Sequence, residues 1–235
     1  VPLPVTLGVP QGSALGPLLF LIYINDLPMH LSSNCRMFAD DCVIYRTVTD
    51  PPDQMLLLED LNHILQRCDD WLMTLNLTKC KLISFTCRLN PLRFSYNIAN
   101  VPVESVTTYK YFGVTLSYNL SWNTHIIKIV STSNRALGFL KRHLRSASCH
   151  VKLLAYTSLV RSKLKYAPPI WNLPEVGLTN SLESIQNRAA RFIHASNSYN
   201  ISVSSLKSAC NLSPLSCRRR IATLSLFHKF FSLST

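Results

Sequence analysis

The sequence predicts an α+β fold, with helices and antiparallel strands in the first half and helices alone in the second. Two observations carry this prediction. Up to about residue 116 apolar residues gather in short strand-like runs between helical stretches, and after about Ser117 they recur at helical steps of three and four. Charge divides near the same place. Residues 1–104 carry 7 Lys and Arg against 10 Asp and Glu, a net −3, whereas residues 105–235 carry 17 against 2, a net +15. With 47% hydrophobic and only 15% charged residues, the 235-residue chain has ample material for a core and is neither disordered nor fibrous. The expected organisation is a mixed unit over 1–116 and a helical unit over 117–235.

The elements follow in order. Gly12–Leu27 is apolar and free of breakers after Pro17, so it predicts a helix buried on most sides and ended by Pro28. Cys35–Ala39 and Cys42–Tyr45 predict two strands of a hairpin with Asp40-Asp41 at its tip. Asp50-Pro51-Pro52 has the form of an N-cap followed by proline in the first helical turn. Leu58, Leu61, Leu65, Cys68, Leu72 and Leu75 then mark an amphipathic helix packing on a sheet. Leu82–Thr86 and Tyr109–Leu116 predict further strands, the second holding Gly113 as a bulge. Beyond them, Ile126, Val130, Leu137, Leu140 and Leu144 form the stripe of one helix. Val151–Tyr166, stopped by Pro168-Pro169, predicts a second helix, Leu182–Ile193 a third and Arg218–Phe231 a fourth. Lys128, Arg135 and Arg142, seven apart, share a face beside the first stripe.

Eight cysteines stand singly, none at the C-x₂-C spacing of a zinc site, in a chain too long and apolar to need a disulfide framework. They predict reduced thiols in a nuclear or cytosolic protein. The run Leu15–Ile24 is too short to span a bilayer, holds Pro17 and lacks a basic leader, so no membrane association is expected. Val1 opens directly on what reads as the approach to a motif, which predicts a fragment.

The chemistry centres on Asp40 and Asp41. Adjacent carboxylates at a hairpin tip are costly to keep ionised together unless a cation neutralises them, and Mg²⁺ is the hard ion that oxygen ligands favour. Successive strand residues face opposite ways, so the two aspartates need not serve equally. Asp69-Asp70 is a second acidic pair, but it lies beside the helical stripe and reads as a solvated face. A carboxylate-bearing half joined to a strongly basic half suits metal chemistry on a polyanion.

The surrounding residues make a resemblance specific. Phe38-Ala39-Asp40-Asp41 resembles the aromatic-x-Asp-Asp box of reverse transcriptases. Upstream stand Gly8-Val9-Pro10-Gln11-Gly12-Ser13 and Tyr23-Ile24-Asn25-Asp26-Leu27-Pro28, similar to the template-and-nucleotide loop of that family and the box after it. Downstream, Leu75-Asn76-x-x-Lys79-Cys80-Lys81 resembles the box whose lysine protonates departing pyrophosphate, and Tyr109-Lys110-Tyr111-Phe112-Gly113-Val114 resembles the primer grip. Ser158–Tyr166 and Gln186–Arg191 are similar to thumb and post-thumb segments of LINE-type, jockey- or CR1-like non-LTR retrotransposons.

This resemblance implies a partial polymerase palm over 1–116, then a helical thumb and C-terminal extension. It implies an RNA-directed DNA polymerase using two Mg²⁺ ions, with Mn²⁺ able to substitute. The partners are an RNA template, a DNA primer and dNTPs, within a ribonucleoprotein of the element's own RNA. Asp40 and Asp41 would hold metal, and Lys79 would be the general acid, with Lys81 competing. Pro10, Gln11, Gly12, Phe38 and Ala39 would contact template and nucleotide; Tyr111, Phe112 and Gly113 would form the primer grip; Lys128, Arg135 and Arg142 would face duplex backbone. Asn25 and Asp26 read as a helix C-cap. The family's other metal-binding aspartate would lie upstream of Val1, so the expectation is a chain inactive alone. Two alternatives stay open: an inert relic of such an element, and a basic RNA-binding module without catalysis. A group II intron maturase is a weaker rival, since no intron-binding or zinc-endonuclease segment is evident.

Overall fold

The computed structural model describes residues 12–86, 88, 91, 94–171, 176–195 and 201–233. The chain forms two compact units, Val1–Thr107 and Thr108–Thr235.

In the first unit, helix α1 spans Gly16–Ile24 with Pro17 in its first turn, where a missing N–H leaves no bond unmade. Ser13 Oγ accepts from the Gly16 N–H at 3.0 Å. The helix is shorter than the expected Gly12–Leu27, because Pro17 fixes its start and a separate 3₁₀ turn, Leu27–His30, takes Pro28 into its own opening. It is not buried on most sides either. Only Gly16 and Ile24 are buried, while Leu18, Leu19, Leu21 and Ile22 face solvent. All-round apolarity predicts cover on every face, and the described part of this unit supplies it on one.

Strands β1 (Asn34–Phe38) and β2 (Asp41–Tyr45) pair antiparallel, with Phe38 opposite Asp41 and Cys35 opposite Ile44. Helix α2 (Pro51–Asp70) opens as expected: the Asp50 side chain accepts from the Asp53 N–H. Its buried residues are Gln54, Asp60, Ile64 and Cys68, so the inward face is rotated from the predicted leucine stripe. Leu58, Leu61 and Leu65 are half-buried, and Leu72 and Leu75 fall beyond the helix end. Polar bonds made by Asp60 and Arg67, described below, turn the helix this way. Two short strand pairs complete the unit's ladders. β3 (Lys81–Leu82) runs parallel to β6 (Glu104–Ser105), against the antiparallel expectation, and β4 (Asn97–Ile98) pairs antiparallel with β5 (Val101–Pro102). Of the expected strand over Leu82–Thr86 only Leu82 lies in a ladder, with Lys81 before it.

The second unit begins with a hairpin, β7 (Thr108–Tyr111) and β8 (Val114–Ser117). The single strand predicted over Tyr109–Leu116 is broken by Phe112 and Gly113, whose φ angles of +44° and +78° make a tight turn. Gly113 is thus a turn residue and not a bulge. The hairpin groups with the helices, and the division between the two compact units falls between Thr107 and Thr108.

Helix α3 (Asn123–His143) buries His125, Ile126, Ile129, Ser133, Leu137 and Leu140. A continuous helical stretch follows: α4 (Cys149–Ala155), a π-helical segment (Tyr156–Arg161) and α5 (Ser162–Leu164). Ala167, at φ +49°, turns the chain, and Pro168-Pro169 open the short α6 (Pro168–Trp171) as well as ending what precedes. Then come α7 (Val176–Ile193), an unforeseen α8 (Val203–Ala209) and α9 (Leu215–Leu233). The core joins Tyr156, Val160, Leu164, Trp171, Leu182, Ile185, Ile193 and Leu215. Gln186, fully buried, accepts from the Tyr156 hydroxyl at 3.1 Å and donates to Ser213 O at 2.9 Å, so its amide is satisfied at both ends.

Candidate active site and nucleic-acid interface

The β1–β2 register leaves Ala39 and Asp40 as the two turn residues and makes Asp41 the first residue of β2. Ala39 has φ +50° at the first turn position, a conformation that strains an L residue and that tight hairpins usually give to glycine. Both aspartates are exposed, and neither carboxylate has an ion-pair partner among the described residues. No third His, Cys, Asp or Glu joins them in a metal-sized cluster among those residues. Behind them the Cys42 sulfur lies 3.5 Å from that of buried Cys35. Desolvation, and then the Cys35 thiol, push the Cys42 thiol up to about 12, so it stays neutral beside Asp41.

Two polar anchors hold the approach to this hairpin. Asp60, on α2 and 4% exposed, accepts from Ser32 N at 2.8 Å, Ser32 Oγ at 3.0 Å and Ser33 N at 2.8 Å. Burial pushes its carboxyl up, but the hydrogen bonds from Ser33 and Ser32 outweigh this and hold it below the ordinary carboxylate range. Asp26 places both carboxylate oxygens 2.7 Å from Arg67 Nη2, and the Arg67 guanidinium stacks 3.8 Å from the Trp71 ring centre. The Arg67 hydrogen bond lowers the Asp26 carboxyl. Asn25 occupies the C-cap position of α1 as expected, whereas Asp26 is an ion-pair anchor to α2. A cavity of about 180 Å³ beside Leu27, His30 and Arg67 is lined by none of the predicted site residues.

Other predicted residues fall in different settings. Pro10 and Gln11 lie outside the described residues. Gly12 is exposed, with φ +86°, and no described residue lies within 4 Å of where a Cβ would stand. Phe38 and Ala39 are exposed on the Asp40-Asp41 hairpin. Lys79 closes a turn through its N–H to Asn76 O at 3.0 Å, and its exposed ammonium has no ion-pair partner among the described residues. Lys81, its competitor, is held by Glu104 at 2.6 Å.

Tyr111, Phe112 and Gly113 sit at the tip of the β7–β8 hairpin in the second unit. The Tyr166 hydroxyl donates to Phe112 O at 2.6 Å, and a Cβ on Gly113 would stand 3.0 Å from Tyr166 Cε1. Glycine is required there for both φ and space.

Lys128, Arg135 and Arg142 are all exposed along one face of α3, and no carboxylate pairs with them among the described residues. Glu183 is engaged elsewhere, by Lys207 Nζ at 3.4 Å and Leu215 N at 3.1 Å. Arg188 of α7 donates to Asn134 Oδ1 at 2.6 Å, and burial, then Arg188, hold the Lys141 ammonium below its ordinary value. Lys141 and Arg188 therefore extend the basic surface, which the seven-residue spacing alone did not reveal. Beside Arg135 a groove of about 490 Å³ runs between α3 and α7, lined by Ile127, Val130, Asn134 and Leu178.

Residues 2–116 match the family model described as Reverse transcriptase (RNA-dependent DNA polymerase). The chain is 29% identical over 198 residues to a probable RNA-directed DNA polymerase from transposon X-element of Drosophila melanogaster, covering 80% of this chain and 22% of that protein. It is 27% identical over 209 residues to the probable RNA-directed DNA polymerase from transposon BS of the same organism, covering 82% and 23%. The RNA-directed DNA polymerase from its mobile element jockey is 24% identical over 204 residues, covering 81% and 22%. The chain thus spans between a fifth and a quarter of the length of these relatives. No solved structure matches it. The Phe38-Ala39-Asp40-Asp41 hairpin lies inside the matched segment and the likeness to these transposon polymerases runs on beyond it, so the chain carries, over residues 2–116, a reverse transcriptase domain similar to those of non-LTR retrotransposons.

Proposed function

We propose that this chain supplies part of the palm, the thumb and a C-terminal extension to an RNA-templated DNA polymerase. The observation that carries the reading is the Asp40-Asp41 pair, exposed on a tight, strained turn with no ion-pair partner among the described residues. Two hard carboxylates so presented fit Mg²⁺ or Mn²⁺, with Asp40 and Asp41 as ligands beside a further carboxylate from elsewhere in the protein. When bound, two such ions supply charge stabilisation at the attacking and leaving oxygens of phosphoryl transfer. The chain's own residues do the rest. Gly12, with Pro10 and Gln11, lets backbone approach the templating base, and Phe38 and Ala39 shape the floor beneath the nucleotide. Lys79, free of the carboxylate contact that holds Lys81, donates a proton to departing pyrophosphate.

Tyr111, Phe112 and Gly113 present a tight hairpin tip to the primer backbone, and Tyr166 fixes its shape. Lys128, Arg135 and Arg142, joined by Lys141 and Arg188, face the phosphates of the template–primer duplex. The partners are therefore an RNA template, a DNA primer and dNTPs.

The test places residues 1–235 in the matching segment of the jockey polymerase and measures dNTP incorporation on primed RNA. Asp40→Ala is expected to lower turnover by about 10³-fold or more, and Asp69→Ala to leave it unchanged. On the unaltered 235-residue chain, Mn²⁺ binding followed by electron paramagnetic resonance should be lost in Asp40→Asn and kept in Asp69→Asn. Equal losses from both substitutions would reject the site. Duplex binding indifferent to Mn²⁺ and to Asp40, with an inactive chimera, would favour a basic RNA-binding module instead.

A further inference from the structure

Three soft donor side chains of the second unit converge outside the site described above. Cys149 is the first residue of α4, His194 follows the last residue of α7, and Cys210 follows the last residue of α8. Their two sulfurs and one imidazole nitrogen all lie within 4.8 Å of one another, a group of three donors that no other His, Cys, Asp or Glu set matches among the described residues. Cys210 Sγ is 3.0 Å from His194 Nε2. His194 and Cys210 are 16 residues apart and Cys149 lies on a third element, so no short spacing motif announces the group. The fold assembles it.

We propose that Cys149, His194 and Cys210 bind one zinc ion, with water in the fourth position. Two thiolates and an imidazole are the donor set that selects Zn²⁺ over the hard Mg²⁺ suited to Asp40 and Asp41. Zn–S bonds of about 2.3 Å and Zn–N bonds of about 2.0 Å set tetrahedral ligand atoms about 3.5–3.8 Å apart. The Cys210 Sγ–His194 Nε2 separation of 3.0 Å is shorter than that and every spacing lies within 4.8 Å, so side-chain adjustments of about 1 Å close the site. Cys210 is buried and Cys149 exposed, which gives the ion a protein floor and leaves its outer side open to water.

Protons balance as follows: both thiols release theirs to solvent, and the imidazole offers the Nε2 lone pair with its proton on Nδ1. Without metal, His194 Nε2 has Leu206 O at 3.1 Å as a hydrogen-bond acceptor. Binding exchanges that contact for a bond to zinc. The ion would pin the start of α4 to the ends of α7 and α8, a clip within the helical unit that is separate from the carboxylate chemistry.

The reduced, metal-stripped 235-residue chain is titrated with Co²⁺ and then Zn²⁺. One Co²⁺ per chain should give a thiolate-to-cobalt charge-transfer band that zinc abolishes, and zinc should raise the thermal midpoint. Cys149→Ser, at an exposed position that leaves packing undisturbed, should remove the band and the thermal shift. His194→Gln should weaken binding by more than the roughly 10–100-fold that loss of an outer partner costs. Cys217→Ser and Asp40→Asn should keep both signals, the latter because carboxylates give no thiolate band. A band that survives Cys149→Ser overturns the proposal. So does a reduced chain that takes up no metal and on air exposure forms a Cys149–Cys210 disulfide instead.

Discussion

Asp40 and Asp41 are neighbours in different backbone states, one closing a turn and the other opening a strand, and this difference depends on how firmly the hairpin is held. Asp60 holds its entrance. Replacing Asp60 by Ala would strand the Ser32 and Ser33 N–H groups, one of them on a buried residue, at a cost of about 3 kcal/mol. Urea unfolding should show a lowered midpoint for Asp60→Ala, and an unchanged midpoint would contradict the anchor. The sign with pH follows from the lowered carboxyl. Its contribution is complete above the unfolded value of about 3.9 and is lost as pH falls through the lower folded value. At this scale, legibility depended on distance along the chain. The aromatic-x-Asp-Asp box is four consecutive residues and could be read directly. The Asp60–Ser32 and Asp26–Arg67 bonds join residues 28 and 41 apart, so only the fold brings them together.

Elements were legible where capping and period agreed, and misread where one residue broke the pattern. Asp50-Pro51-Pro52 announced α2, yet its buried face is set by Asp60 and Arg67, polar residues that a leucine count passes over. The β7–β8 turn was hidden because Phe112 occupies a positive-φ position that a tight turn usually gives to Asn or Gly. Helix α3 carries a buried histidine that tests the contact between this hairpin and the helices. His125 Nδ1 accepts from the Thr115 N–H at 3.1 Å, while its Nε2, buried between the rings of Trp122 and Trp171, has no hydrogen-bond partner among the described residues. Burial, and then Lys128, lower its pKa, so the folded state keeps it neutral. Between that lowered value and the unfolded value of about 6.5 the unfolded chain binds more protons, and stability rises with pH. Acidification from about pH 7.5 to about pH 5.5 should therefore destabilise the protein through this residue. His125→Asn, whose Oδ1 can replace the Nδ1 acceptor, should flatten the thermal midpoint against pH relative to the unaltered chain. Parallel profiles would show that His125 titrates without consequence.

Across the whole molecule the dominant feature is the separation of charge, a net −3 over residues 1–104 and +15 over residues 105–235. On the proposed function, such asymmetry would steer a polyanion to the basic half. The helical surface is where this can be measured. Lys128, Arg135 and Arg142 are exposed and unpaired by any carboxylate among the described residues, so each can meet a phosphate without first breaking an ion pair. Each phosphate neutralised releases condensed counterions, and the logarithm of affinity then falls linearly with the logarithm of salt concentration. Removing three phosphate contacts should reduce the magnitude of that slope by about 2–3. We expect the 235-residue chain to bind an RNA–DNA hybrid with a steep slope, and the Lys128→Ala, Arg135→Ala, Arg142→Ala triple variant to bind with a shallower one. Because all three side chains are exposed, the variant should keep its helical circular dichroism and thermal midpoint. A uniform loss of affinity with the slope unchanged would mean that these residues do not contact phosphate, and that the duplex path runs instead over Lys141 and Arg188 or along α9.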